Sequence, residues 1–102
     1  MDSPLPITNL GIVLAPPAEV EGGLLAWASV DYGGLRLDGL AVRLTERGDI
    51  LVTFPSKPKY RGRRQYIVWP LDEQTRDRFQ TAVLKAYIEE RRRQGLTDGE
   101  AS

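Results

Sequence analysis

Between residues 24 and 32 apolar and polar side chains alternate with a period of two. Leu24, Ala26, Ala28, Val30 and Tyr32 fall on one face, and Leu25, Trp27, Ser29 and Asp31 fall on the other. Successive side chains of a strand point to opposite sides, so this alternation predicts a half-buried β-strand. The apolar run at 7–15 predicts a strand before it. Pro16-Pro17 stops that run, because proline lacks the amide donor a ladder needs. Glu21-Gly22-Gly23 then predicts a turn. Gly33-Gly34 predicts a tight hairpin turn, since glycine takes positive φ at no steric cost.

The next strand, 35–45, changes phase. Leu35 and Leu37 are expected inward, but beyond Gly39 the inward set becomes Leu40, Val42 and Leu44. A slip of one residue is what a β-bulge at Asp38-Gly39 produces. Glu46-Arg47-Gly48-Asp49 predicts a second hairpin turn, and 50–54 a fourth strand ended by Pro55. Residues 55–64 are expected to be a loop dominated by cations, followed by a fifth strand at 66–69 that ends at Pro70. From 73 to about 93 the apolar positions Phe79, Ala82, Val83, Ala86 and Tyr87 recur at helical spacing, with Leu84 and Ile88 widening the stripe. Asp72 is placed to cap this helix and Gly95 to close it, while Arg91-Arg92-Arg93 complements the dipole of its last turn. The expected architecture is α+β: a small twisted antiparallel sheet of about five strands packed against one C-terminal helix. The expected organisation is a flexible N-terminus at 1–6, one domain at 7–94 and a flexible tail at 95–102.

Composition narrows the chemistry. The 102 residues suit one domain with one modest core. Cysteine and histidine are both absent. That removes disulfides, thiolate metal sites and the usual proton shuttle at neutral pH together. The chain is therefore not expected to be an enzyme, and no cofactor, metal or small-molecule substrate is expected. No apolar run approaches the ~20 residues that cross a bilayer. Met1-Asp2-Ser3-Pro4 lacks the basic and apolar stretches of a signal peptide. The expectation is a cytoplasmic protein with no membrane partner.

The formal net charge is zero, yet it is unevenly spread. Residues 1–54 carry three cations and seven anions, a balance of −4, and residues 55–102 carry eleven cations and seven anions, a balance of +4. A basic second half points to a polyanionic partner, although a solvated face has the same composition. Lys57, Lys59, Arg61, Arg63 and Arg64 form one cationic cluster, with Tyr60 inside it and Tyr66 close behind. Forked or mobile cations suit phosphates, and a neighbouring ring can stack on an unpaired base. The bland alternative is a charged hairpin that keeps one end of the sheet soluble. Arg76, Arg78, Lys85 and Arg91-Arg92-Arg93 form a second cationic set on the helix, partly offset by Glu89, which is spaced to pair with Lys85 and Arg93. Trp27 and Trp69 suit core or dimer anchors better than stacking platforms. Ser56 beside Lys57 is a poor nucleophile and base pair, because adjacent strand residues face opposite ways.

The order of these features resembles the stage V sporulation protein G (septation protein) family. The resemblance rests on Phe54-Pro55-Ser56-Lys57, a polar loop containing Gly62, then Ile67, then Pro70, and a helix with Arg76, Ala82-Val83-Leu84 and Tyr87. Residues 24–30 and Leu37, Leu40 and Val42 look like that family's second and third strands. The chain departs from the pattern at Tyr66, where aspartate is usual, at Trp69, where histidine or another residue is common, by one extra residue around Glu46 to Asp49, and in a more basic loop. The resemblance implies a twisted sheet on one helix, a homodimer, DNA or RNA as partner, and a regulatory role in septation and sporulation. On that implication the nucleic-acid-binding residues are Lys57, Lys59, Tyr60, Arg61, Arg63, Arg64 and Arg76. A protein-interaction adaptor in cell division, with the loop docking an acidic partner, is the alternative. A homodimer is also expected because one helix covers one face of a sheet, and Leu25, Trp27, Leu84 and Ile88 are apolar positions in excess of one small core.

Overall fold

The alternation at 24–32 becomes the second strand of a four-stranded antiparallel meander. The computed structural model describes residues 5–95, apart from the side chains of Tyr60 and Arg64. Positions 1–4 and 96–102, most of the two expected flexible ends, lie outside the described residues. Strands β1 (Ile7–Leu14), β2 (Leu24–Tyr32), β3 (Leu35–Leu44) and β4 (Ile50–Thr53) pair in sequence order. A separate hairpin follows, β5 (Ser56–Tyr60) with β6 (Arg63–Tyr66). One turn of helix, α1 (Pro17–Glu21), joins β1 to β2, and the long helix α2 (Glu73–Arg93) ends the domain. The class is α+β, as expected.

Three irregularities set which side chains reach the core. In β3 an extra residue at Asp38-Gly39 separates the pairs Val30↔Leu37 and Ala28↔Leu40, and Gly39 takes φ 82°. This is the bulge that the phase slip predicts. In β2 an extra residue at Leu25 separates Leu24↔Arg43 from Ala26↔Val42, so Leu24, Leu25 and Ala26 are buried in succession. In β1 the register shifts between Thr8 and Gly11, where Asn9 takes φ 51°. Asparagine tolerates that left-handed conformation better than most residues. Asn9 Nδ2 and the Arg36 guanidinium both donate to the Asp31 carboxylate, which holds its carboxyl below the usual range.

The core lies between one face of the sheet and α2. Ala26, Ala28, Val30, Leu40, Val42, Val52 and Phe54 meet Phe79, Val83 and Tyr87. Small side chains at 26 and 28 leave room for the aromatic stripe of the helix. Phe79 stands at the centre, with ring centroids 5.0 Å from Tyr32 and 5.5 Å from Phe54.

Several expectations need correction. The cationic stretch 55–64 is a hairpin rather than a loop, and the fifth strand expected at 66–69 is absent: its pairing ends at Tyr66, and Ile67-Val68 bends. The described strands number six rather than five. Pro17 starts α1 rather than only ending β1, because the fixed φ of proline suits the first turn of a helix. Leu35 and Leu44, expected inward, are exposed, since each sits at a strand end beyond the reach of the helix. Leu25 is buried and Leu84 packs against the core, so neither is surplus apolar surface; Trp27 and Ile88 remain exposed.

Asp72 caps α2 as expected, accepting from Thr75 N at 2.7 Å, and this hydrogen bond holds its carboxyl below the usual carboxylate range. A carboxyl depressed on folding stabilises the fold above its unfolded pKa, about 3.9, and loses that contribution as pH falls through the folded value. Asp72→Asn keeps a capping oxygen but cannot titrate. In urea titrations from neutral to strongly acid pH, the variant is expected to lose less stability below about pH 4 than the parent. Identical acid limbs would contradict a capping role for the ionised carboxylate.

Candidate nucleic-acid interface

The hairpin β5–β6 is built by its turn. Tyr60 pairs with Arg63, and the two residues between them, Arg61 and Gly62, take φ 52° and 76°. Two successive positive φ values are the signature of a type I′ turn, whose twist matches that of the flanking strands. Lower down, Lys57 pairs with Gln65 and Ser56 with Tyr66, and a register shift follows Lys57. Pro58 sits in that shift, where its missing donor does no harm. At the root, Pro55 O accepts from Ile67 N at 3.0 Å and from Val68 N at 3.5 Å, fixing the arm to the end of β4.

The side chains of Lys57, Lys59, Arg61 and Arg63 are exposed. Lys57, Lys59 and Arg63 have no carboxylate partner among the described residues. Tyr60 and Arg64 hold strand positions in the same arm, but their side chains lie outside the described set. The sequence from Ile50 through Leu71 contains no Asp or Glu at all. Lys57, Lys59 and Arg63 on one short arm therefore add their fields.

Arg76, the seventh residue of the expected site, comes to the arm from the first turns of α2. Its guanidinium lies 4.5 Å from the centroid of the Trp69 ring. Tyr66, at the end of β6, places its ring 4.2 Å from Trp69 with a tilt of 36°. Trp69 in turn meets the buried Phe54 edge-on at 6.5 Å. This cluster was missed in the sequence because strand geometry would put residues 66 and 69 on opposite faces. The bend at Ile67-Val68 brings them together. Neither tryptophan is a core residue: Trp27 is 43% exposed and Trp69 44%.

The remaining helix cations are more committed. Arg78 Nη2 donates to Leu5 O at 2.6 Å, Arg91 Nη1 donates to the Tyr87 hydroxyl, and Arg93 pairs with Glu90 at 3.1 Å. Arg93 thus takes Glu90 one turn back, rather than the expected Glu89. Arg76 reaches the end of β6 through Trp69 and Tyr66, whereas the C-terminal arginines lie at the opposite end of α2. On the sheet face away from α2, Val13, Trp27, Ala41 and Thr53 form one cross-strand row spanning all four strands. No described helix is long and apolar enough to cross a membrane. No protein-family model matches the chain, and no curated protein matches it.

Proposed function

We propose that the protein is a nucleic-acid-binding regulator of the stage V sporulation protein G type, acting as a homodimer in the cytoplasm and without enzymatic activity. The observation that carries this reading is the projecting hairpin: exposed cations on a twisted arm, in a stretch free of carboxylates, with Arg76 at its root. Phosphates are the groups that such an arm is built to meet, through charge and through guanidinium forks. The test is competition. Unlabelled DNA and RNA of unrelated sequence should displace a labelled oligonucleotide, and added salt should weaken binding steeply. If neither DNA nor RNA binds at low salt, the reading is overturned.

Self-association through the uncovered sheet face supplies the dimer. Val13 and Trp27 are 68% and 43% exposed in the row that crosses the sheet, and Leu51 on β4 is 42% exposed. An apolar stripe across a sheet face is the surface that a second copy can cover with two-fold symmetry. Trp27→Glu is expected to give a monomer by sedimentation at tens of micromolar, roughly the range where a weak interface shows. Its circular dichroism should be unchanged, because Trp27 lies outside the core. A parent that sediments as a monomer, or a variant that stays dimeric, would contradict this.

A further inference from the structure

We propose that the Arg76–Trp69–Tyr66 cluster is a base-stacking platform, which makes single-stranded nucleic acid, rather than duplex, the preferred ligand of the hairpin. This rests on the hairpin binding phosphates and adds what the bases do. The cluster is the outer end of a chain of rings that begins in the core. Tyr32, Phe79 and Phe54 lie inside, and Trp69 and Tyr66 continue the chain outward to the root of the arm. The inner rings hold Trp69 in place, so little ordering is left to be done when a ligand arrives.

The outer rings are placed unlike core residues. Tyr66 is 41% exposed and Trp69 44%, while their neighbours Ile67 and Leu71 are 60% and 95% exposed. Four large apolar side chains within six positions are thus left to solvent, which marks a contact surface. Its chemistry favours a nucleobase over an apolar protein face. The run follows the hairpin cations directly, contains no carboxylate, and has the Arg76 guanidinium against its Trp69 ring. A base offers the π-face that rings and guanidinium planes stack on, and its own phosphate falls next to the cationic arm. Asp72, Glu73 and Asp77 line the same pocket as Trp69 and Arg76, and three carboxylates on that side would turn the phosphates toward the hairpin. Bases in a duplex are already stacked on their neighbours, so only an unpaired base can use the platform.

The test compares oligothymidylate with a duplex of the same length. Tyr66→Ala removes a ring whose described ring contact is Trp69, so the fold is expected to survive. It should weaken oligothymidylate binding about 5- to 150-fold, the range for losing one stacked base, and leave duplex binding unchanged. In a Trp27→Phe background, first shown to self-associate and to bind oligothymidylate as the parent does, Trp69 is the only tryptophan, and its emission should be quenched by oligothymidylate but not by duplex. If Tyr66→Ala weakens both ligands equally, or neither, or if saturating oligothymidylate leaves Trp69 emission unchanged, the platform is refuted while the hairpin reading stands. If the parent binds neither ligand, the hairpin reading falls and the platform falls with it.

Discussion

Phe79→Ala is expected to lower the unfolding free energy by about 3–5 kcal/mol, the range for emptying a buried phenylalanine site. The ring is 3% exposed and touches both Tyr32 from the sheet and Phe54 from the end of β4. It is therefore the place where helix, sheet and hairpin root are joined. Deleting it removes apolar burial and leaves a cavity between rigid rings that cannot readily collapse. Small domains have only ~5–15 kcal/mol in total, so the variant should be partly unfolded at moderate temperature. Urea denaturation measures the effect directly. Ile88→Ala, on the same helix but at a position 38% exposed, should shift the midpoint far less. Equal midpoints for Phe79→Ala and the parent would mean that the helix does not dock through this stripe.

That stripe was legible in the sequence because helical periodicity needs only local spacing. Phe79, Val83 and Tyr87 recur every four residues, and all three are buried. The bulge at Asp38-Gly39 was legible for the same reason, since a strand that changes phase must place an extra residue somewhere. The hairpin was harder. Its strands carry Lys, Arg and Pro with no alternation of apolar and polar positions, so nothing in the pattern distinguishes β5–β6 from a charged loop. The Arg61-Gly62 turn was the available signal, and it becomes clear only once both residues are seen at positive φ. The Tyr66–Trp69–Arg76 cluster was not legible at all. It depends on a bend between two rings and on a helix arriving from outside the segment, and no local period encodes either.

Replacing Arg61, Arg63 and Arg64 together with alanine is the second large effect expected. Three of the five cations in a carboxylate-free stretch are removed, while the core cluster contains no hairpin residue among the described side chains. The variant should therefore fold and self-associate as the parent does. Each phosphate neutralised on duplex DNA contributes about −0.9 to the slope of log affinity against log salt. About three to five neutralised phosphates per arm predict a slope of roughly −2.7 to −4.5, and a shallower one on single strands. Removing three cations should weaken binding across all sequences, because hydrogen bonds and ion pairs to phosphate carry no sequence information. An arm that instead docks an acidic protein would respond to salt as well, but oligonucleotides would then neither bind it nor compete for it.

The most direct measurement is the salt slope of duplex binding for the parent and for the Arg61, Arg63 and Arg64 triple-alanine variant, each first shown to be folded and in the same oligomeric state. The hairpin account predicts a parent slope of roughly −2.7 to −4.5 per arm, and a variant that binds more weakly with a slope flatter by about two to three, roughly −0.9 for each phosphate no longer neutralised. A variant that binds as tightly as the parent, with the same slope, would contradict it.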